Sequence, residues 1–375
     1  MLTRTVLGTE HETFRATVRA FLEEEVVPEY PAWISTGRPS DGFWKGMGAL
    51  GVLGIGVPEE YGGTPGSDFR HSVVVTEEIQ RLGLAIGGLR VHTDICVPYL
   101  LHHASHEQRQ QWLPRMCAGD VVVALGISEP GAGSDVKAIT TRAERDGDHF
   151  VVNGAKTFIS NGAATDLLIL AAKTDPAAGR DGISLLLVDT TTPGFARGRK
   201  LDKLGVAAQD LAELSFTEMR VPVECLLGEE NQGFRYLSSN LAHERLSVAA
   251  NSQAAAVAAL EWTASALRGT GAGQEAKFVL AACATEVAAG QSLVDHAITD
   301  HVADRLSVAD AALVKLFCTE LQGRVVDRCL SISDPRTAYS VESKIGNAYL
   351  DGRVSRIYAG SSEIMKVIVA QQLGL

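Results

Sequence analysis

The chain has 375 residues, 46% of them hydrophobic and 21% charged, and a formal net charge of −11. This composition is typical of an ordinary globular protein, and the length predicts two or three structural units. The negative charge argues against nucleic acid or an anionic membrane as the main partner. No apolar run approaches the roughly 18 residues that span a bilayer, and no signal-peptide core follows Met1, so we expect no membrane association.

The six cysteines show no CxxC pair and no spacing typical of metal ligands; they are Cys96, Cys117, Cys225, Cys283, Cys318 and Cys329. Scattered cysteines of this kind predict reduced, mostly buried thiols, no metal centre and a cytoplasmic location.

The chain falls into three segments of different pattern. Residues 1–119 are mainly helical, beginning with an amphipathic run from His11 that Pro28 is expected to end. Residues 120–228 consist of short β-branched or aliphatic runs between Gly, Asp, Asn and Pro turns, which predicts a small antiparallel β domain. Residues 229–375 are helical again and rich in alanine, which fits a helix bundle. The sequence thus predicts an α+β fold.

A glycine-rich stretch opens the predicted β domain and reads Ala124-Leu125-Gly126-Ile127-Ser128-Glu129-Pro130-Gly131-Ala132-Gly133-Ser134-Asp135. Glycines let backbone N–H groups approach a ligand and form an anion-binding nest, and the two serines add hydroxyl groups. The stretch is not a GxGxxG motif that opens a βαβ unit, so a nicotinamide site is not predicted. Taken alone, such a loop is more often a plain turn than a cofactor site.

Glu244 lies where its helix should be apolar. Leu237, Leu241 and Val248 recur at the i, i+4, i+11 spacing that stacks side chains on one helical face. At about 100° per residue, Glu244 projects within about 20° of Leu237, at the edge of this stripe. Burial disfavours a charged carboxylate and raises its pKa. Two interpretations follow: an ion pair with Arg245 or another cation, or a general base held in a dry pocket.

Two further segments complete the pattern. One is Val151-Val152-Asn153-Gly154-Ala155-Lys156-Thr157-Phe158-Ile159-Ser160-Asn161-Gly162, and the other is Ile357-Tyr358-Ala359-Gly360-Ser361-Ser362-Glu363-Ile364-Met365-Lys366. In this order and spacing, the three segments resemble the acyl-CoA dehydrogenase family. The resemblance covers essentially the whole chain, including the VPEEYGG turn at residues 57–63.

The resemblance implies an N-terminal α-helical domain at residues 1–119, a β-barrel-like middle domain at 120–228 and a C-terminal four-helix bundle at 229–375. FAD would lie in the cleft between them. The positions that match flavin contacts are Leu125, Ile127, Ser128, Gly133, Ser134, Phe158, Ile159, Ser160, Tyr358, Ser361 and Glu363. Ser160 would donate a hydrogen bond near the reactive flavin nitrogen. As alternatives, Phe158 and Ile159 could form an ordinary half-buried strand, and Ile127 could be core.

In this family a carboxylate removes the α-proton of an acyl thioester while hydride passes from the β-carbon to FAD. In most members the base is a Glu directly after the Tyr of the C-terminal motif, but here that residue is Ala359. The long-chain and isovaleryl types instead carry the base on the first bundle helix, at the position of Glu244. The resemblance therefore implies that Glu244 is the catalytic base and that the Ala359 N–H donates to the thioester carbonyl. The implied substrate contacts are Ser134, Leu241, Arg245 and Ala359.

Two segments depart from the family pattern, and both serve the adenosine half of FAD across a subunit interface. The Arg-x-x-Phe-Gly segment is replaced by residues 266–272, and the Gln-x-x-Gly-Gly-x-Gly run is replaced by residues 331–339. We hypothesise that Arg268 or Arg336 supplies the missing charge.

The expected function is oxidation of an acyl-CoA to a 2-enoyl-CoA in lipid metabolism, by a homodimer or homotetramer. The expected electron acceptor is a protein such as electron-transfer flavoprotein. The alternatives are an acyl-carrier-protein thioester as substrate, a flavin oxidase or oxygenase, and a non-catalytic relative. His92 precedes the β domain and either lines the acyl pocket or is a core histidine.

Overall fold

The computed structural model describes residues 3–375, and the first third of the chain is helical. Its helices are α1 (Thr9–Phe21), α2 (Val27–Thr36), α3 (Asp41–Ala49), α4 (Phe69–Leu82), α5 (Gly88–Arg90), α6 (Val97–His103) and α7 (His106–Cys117). A first π-helical turn, Leu22–Val26, joins α1 to α2, and a second, Val91–Cys96, joins α5 to α6. The prediction that Pro28 ends the first helix is wrong. Pro28 lies in the first turn of α2, where a helix does not need its N–H.

Ion pairs hold α1 against α4. Glu78 of α4 is 2% exposed, and its carboxylate accepts hydrogen bonds of 2.8–3.1 Å from Arg15, Arg19 and Arg81. Burial alone would raise the pKa of Glu78, but the three guanidinium groups lower it to about 2. The carboxylate is therefore charged throughout the physiological pH range and fixes the two helices side by side.

The middle of the chain forms one seven-stranded sheet in the order β1-β4-β2-β3-β7-β6, with β5 paired to β4. The strands are β1 (Val123–Gly126), β2 (Arg142–Asp146), β3 (His149–Ser160), β4 (Leu167–Lys173), β5 (Ile183–Asp189), β6 (Phe195–Lys200) and β7 (Leu211–Pro222). Most pairs are antiparallel as predicted, but β4 runs parallel to both β1 and β2. The predicted fold class is confirmed, and the sheet is mixed.

The last third of the chain is a helix bundle with three long helices and three shorter ones. They are α8 (Gly233–Leu267), α9 (Gln274–Val302), α10 (Val308–Ile332), α11 (Pro335–Ala338), α12 (Lys344–Asp351) and α13 (Ser362–Gln372). The break between α8 and α9 falls at the glycines of residues 269–273, where Gly269 and Gly271 have positive φ.

Helix α9 is the one helix among residues 3–375 that is long and apolar enough to cross a bilayer by length and composition. The expectation that no segment approaches this criterion is therefore wrong. In the bundle α9 packs against α8 and α10, and 22% of its most apolar 18-residue stretch is buried. The large apolar side chains of α9 that remain exposed are Phe278 at 64% and Val302 at 40%.

The second π-helical turn connects the sheet to the bundle. His92 in this turn accepts a hydrogen bond from the Val123 N–H of β1 at 3.4 Å. The buried carboxylate of Asp94 accepts hydrogen bonds from Ser72 of α4 and Ser247 of α8. This turn therefore brings α8, which carries Glu244, beside the start of the β domain.

Candidate active site

Glu244 is a half-buried carboxylate on α8 that lacks a direct ionic partner. Burial raises its pKa to about 7, and the nearby charges of Arg245 and Lys315 offset the rise only in part. Among residues 3–375 no ion pair or hydrogen bond engages this carboxylate. Arg245 instead donates to the Val308 carbonyl at 3.3 Å. The arrangement favours a general base over a structural ion pair.

The carboxylate faces a wall built by the N-terminal helices. Burial, and next the charge of Glu244, raises the pKa values of Cys96 and Tyr99, which are at most 1% exposed. Asn240, one helical turn before Glu244, donates to the Ile95 carbonyl at 3.3 Å. Glu244 therefore lies in an interior of low polarity, where a carboxylate is a stronger base than in water.

Ala359 and Gly360 form a turn in the left-handed region, with φ values of 55° and 89°. A left-handed alanine costs about 1 kcal/mol, so neighbouring groups have to hold it. Lys315 of α10 does so by donating from Nζ to the Gly360 carbonyl at 2.7 Å. Glu244 acts on the pKa of this same lysine, which places the turn near the carboxylate. Three predicted flavin contacts lie next to this turn. Tyr358 and Ser361 are half-buried, and Glu363 is exposed.

A buried ion pair anchors the glycine-rich loop to β3. Lys156 Nζ donates to the Glu129 carboxylate at 2.8 Å and to the Ile127 carbonyl at 3.0 Å. Burial lowers the pKa of Lys156 to about 8, whereas the Lys156 ammonium lowers the pKa of Glu129 to about 2 against the effect of burial. The Ser128 carbonyl also accepts from the Thr157 N–H at 2.9 Å. Two of the three predicted flavin-binding segments are therefore joined.

The end of the glycine-rich loop is open. Leu125 and Ile127 are half-buried, while Gly133 and Ser134 are exposed. A Cβ atom added at Gly131 or Gly133 would meet no atom within 4 Å. The loop can therefore receive a phosphate-bearing ligand against its backbone N–H groups, as the predicted flavin site requires.

The end of β3 breaks the alternation of an ordinary strand. Phe158 has a φ of 58°, and its ring is 65% exposed. Ile159 is 2% exposed inside the β domain, so its side chain cannot contact a flavin as predicted, and only its backbone is available. The Ser160 hydroxyl accepts from the Gln209 side chain at 2.9 Å. An exposed aromatic ring in a strained conformation is typical of a ligand-binding position.

Three other candidates predicted from the sequence, namely His92, Arg336 and Arg268, differ in their surroundings. His92 is fully buried against Trp44, and burial lowers its pKa to about 4, so it is a core histidine. Arg336 is bound to Asp334 in its own turn at 2.7 Å. Arg268 is exposed just beyond α8. The charge proposed for the adenosine half of a flavin is thus already paired at Arg336.

Sequence reasoning missed Lys315, although a signal for it existed. This lysine is 0% exposed and lies on the same face of α10 as the buried residues Ala311, Cys318 and Gln322. A charged residue on an apolar helical stripe is the pattern that singles out Glu244. Gln209 was missed as well, and nothing in its local sequence indicates that it reaches Ser160.

One group of side chains has ligand atoms close enough for a metal ion. These are His11, Asp68 and His71, whose ligand atoms lie within 4.8 Å of one another. The Asp68 carboxylate is bound by Arg70, and each histidine accepts a backbone N–H at the start of its helix through Nδ1. The three residues therefore cap α1 and α4.

Comparisons with known proteins agree with this geometry. Models of the acyl-CoA dehydrogenase N-terminal, middle and C-terminal domains match residues 8–120, 124–219 and 231–374. The chain is 38% identical to the mitochondrial long-chain specific acyl-CoA dehydrogenase of Rattus norvegicus, over 99% of this chain and 88% of the relative. It is 33% identical to the mitochondrial isovaleryl-CoA dehydrogenase of Oryza sativa subsp. japonica, over 96% and 90%. The crystal structure of acyl-CoA dehydrogenase from Geobacillus kaustophilus has a TM-score of 0.96 and 42% identity over all of both chains.

The fold and the site thus define an oxidoreductase of the flavoprotein type. The chain belongs to the acyl-CoA dehydrogenase family. These relatives do not favour the carrier-protein, oxidase or non-catalytic alternatives.

Proposed function

We propose that this protein oxidises a CoA thioester at its α,β bond, with Glu244 as the base and FAD as the cofactor. The observation that carries the proposal is the unpaired carboxylate of Glu244, with a pKa of about 7, beside the strained Ala359–Gly360 turn. FAD supplies the acceptor for hydride from the β-carbon. Every other element of the reaction comes from side chains and backbone groups of the chain.

Glu244 takes the α-proton of the thioester, and the electrons of that C–H bond pass into the enolate. The N–H of Ala359 stabilises the developing charge on the thioester oxygen, which needs no side chain. Leu241, Arg245 and Ser134 are proposed to hold the acyl chain and the carrier arm. Partial burial of Glu244 raises its pKa to about 7, which suits a base that works at neutral pH.

The residues present fit the flavin half of FAD better than the adenosine half. The open glycines, the exposed Phe158 ring and the Ser160 hydroxyl offer donors and a stacking surface. We propose that the ring-side contacts are Leu125, Ile127, Ser128, Phe158, Ser160 and Tyr358, and that the phosphate-side or terminal contacts are Gly133, Ser134, Ser361 and Glu363. The paired Arg336 gives no support to the adenosine side.

We further propose a homodimer or homotetramer in a reducing compartment such as the cytoplasm. Phe278 of α9 is 64% exposed, and we propose that this ring lies in the contact with another copy of the chain. The six cysteines are free thiols, five of them buried. The exposed ring of Phe158 marks the side from which an acceptor such as electron-transfer flavoprotein would approach.

The test begins with the absorbance spectrum of the purified protein after addition of FAD. Members of an acyl-CoA panel are then added one at a time without oxygen, and the loss of the oxidised-flavin absorbance at roughly 450 nm is recorded. We expect at least one acyl-CoA to bleach the wild type, and Glu244→Gln to bleach at least about 100-fold more slowly. The matched control is Glu261→Gln, the same change at an exposed position of α8. Bleaching of Glu244→Gln at the wild-type rate refutes the assigned base, and rapid reoxidation by air alone favours an oxidase.

A further inference from the structure

Lys315 is a fully buried lysine that joins two parts of the candidate active site. Its ammonium group donates to the Gly360 carbonyl at 2.7 Å, and it lies within electrostatic reach of the Glu244 carboxylate. Burying an ammonium group is costly unless it is paired and hydrogen-bonded. Neither the bundle nor the capping of α13 requires a charge at this position, because Ser361 caps that helix.

We propose that Lys315 is a positioning residue for proton abstraction, which holds the Ala359–Gly360 turn in place near the Glu244 carboxylate. The inference rests on the proposed role of Glu244 as the base. The hydrogen bond anchors the Gly360 carbonyl on α10 and so restrains the left-handed residues Ala359 and Gly360, which lie between that carbonyl and the Ala359 N–H. The same positive charge stabilises the ionised form of Glu244.

The other charged and titratable groups around this lysine do not replace it. Arg245 also acts on Glu244, but its hydrogen bond goes to the Val308 carbonyl, away from the turn. Cys96 and Tyr99 face Glu244 from the N-terminal helices and stay neutral, because burial raises their pKa values. Burial, and next the charge of Arg245, lowers the pKa of Lys315 to about 8, whereas Glu244, Glu320 and Glu363 raise it. Glu320 also accepts from the Ser362 hydroxyl at 2.6 Å. Lys315 is thus the cation that contacts the turn.

The experiment compares wild type, Lys315→Met, Lys315→Arg, Glu244→Gln and Lys366→Met as FAD-loaded proteins. Lys366→Met is the matched control, since it removes the same charge from an exposed position one helical turn after Glu363. The first readout is exchange of the α-protons of acetyl-CoA into D₂O, followed by NMR. Acetyl-CoA has no β-carbon, so this exchange reports proton abstraction without hydride transfer. The second readout is anaerobic flavin reduction by the acyl-CoA that bleaches the wild type.

We expect Lys315→Met to slow both readouts about 100-fold with a less than threefold change in KM. The pH midpoint of the rate should move upward by about one unit, because an opposite charge that favoured ionised Glu244 is lost. Flavin content should match that of the wild type, and Lys366→Met should behave as wild type. Lys315→Arg should keep the pH midpoint and recover part of the rate.

A Lys315→Met rate within threefold of wild type with an unmoved midpoint overturns the proposal. If Glu244→Gln is inactive in that same experiment, the base assignment stands and the role of Lys315 alone is wrong. If Glu244→Gln exchanges at the wild-type rate, the proposed base itself fails. If Lys315→Met does not fold, Lys315→Arg is the deciding variant. A shifted pH midpoint of its rate overturns the positioning role, and so does a full wild-type rate despite the longer side chain.

Discussion

The pH dependence of flavin reduction gives the sharpest test of Glu244, because its pKa of about 7 lies inside the working range. Only the ionised carboxylate can accept the α-proton. With this pKa, about 9% of the groups are ionised at pH 6 and about 91% at pH 8, a tenfold rise. A glutamate with the ordinary value of 4.5 would be about 97% ionised at pH 6 and would show no such rise.

The assay is stopped-flow reduction of the enzyme-bound flavin by saturating acyl-CoA, without oxygen, at half-unit steps from pH 5.5 to 8.5. The wild type should gain about tenfold in rate between pH 6 and pH 8. Glu261→Gln should reproduce the wild-type curve, since that side chain is exposed. Glu244→Gln should show a low rate at every pH, with no rise in rate near pH 7. A flat wild-type profile between pH 6 and pH 8 would refute the assignment of this limb to Glu244.

The same pKa has a consequence for stability with a defined sign. The folded protein raises the pKa of Glu244 above its unfolded value of about 4.5, so it favours the neutral form. The associated stability is fully present below pH 4.5 and is lost as the pH rises through about 7. Without ligands, Glu244→Gln should therefore be more stable than wild type at pH 8, by about 2 kcal/mol after allowance for partial exposure. The difference should vanish at pH 4 in urea titrations, and a less stable Gln variant at pH 8 would contradict this reasoning.

Three further predictions concern the groups around the site. Lys156→Met leaves Glu129 buried without its partner, so urea titrations should show a free energy of unfolding lower by about 3–5 kcal/mol, with partial recovery on adding Glu129→Gln. An unchanged single variant would mean that the pair anchors nothing. Three arginines lower the pKa of Glu78, so the stabilisation from this carboxylate is present above pH 4.5 and is lost as the pH falls toward 2. The free energy of unfolding of Glu78→Gln, from melting curves, should therefore be about 1–2 kcal/mol below that of the wild type at pH 7 and should depend less on pH between pH 5 and pH 3. An equally steep acid limb would rule this out. Phe158→Gly removes a left-handed, exposed aromatic residue, so the flavin-free protein should be as stable or about 1 kcal/mol more stable, while purifying with less flavin. Unaltered flavin content would show that the ring does not contact the cofactor.

The parts of the site predicted from the sequence are those whose signal lies within a few neighbouring residues. A carboxylate on an apolar stripe identified Glu244, and a run of glycines identified the open loop, because both signals lie within a few residues. The depth of Ile159 could not be read in this way. The register of β3 against β7 shifts between Lys156 and Ile159, and the left-handed Phe158 turns the chain over at that point. Strand alternation therefore assigns the wrong face to both neighbours of the shift.

Contacts between distant segments were beyond the reach of the sequence pattern. Lys315 and Gly360 are 45 residues apart, and their hydrogen bond exists only because α10 packs against α13. The parallel pairing of β1 with β4 could not be predicted either, because parallel strands are joined by a crossover connection and not by a short turn visible in the sequence. The pairing of Arg336 with Asp334 is local and could have been expected, because aspartate at a helix N-cap often holds the residue two positions later.

The location of the base on α8 also has a structural reason. A glutamate at position 359 would stand on a left-handed turn, which already costs about 1 kcal/mol for alanine and leaves a long side chain on a short loop. Glu244 instead stands on a 35-residue helix packed against α4 and α10, so its backbone position is fixed by the domain core. The turn then has one task, to present the Ala359 N–H, and the left-handed conformation serves that task without a reactive side chain. The double variant Glu244→Gln with Ala359→Glu separates these roles: a carboxylate restored on the turn should return part of the activity, but with a looser geometry and a rate well below that of the wild type.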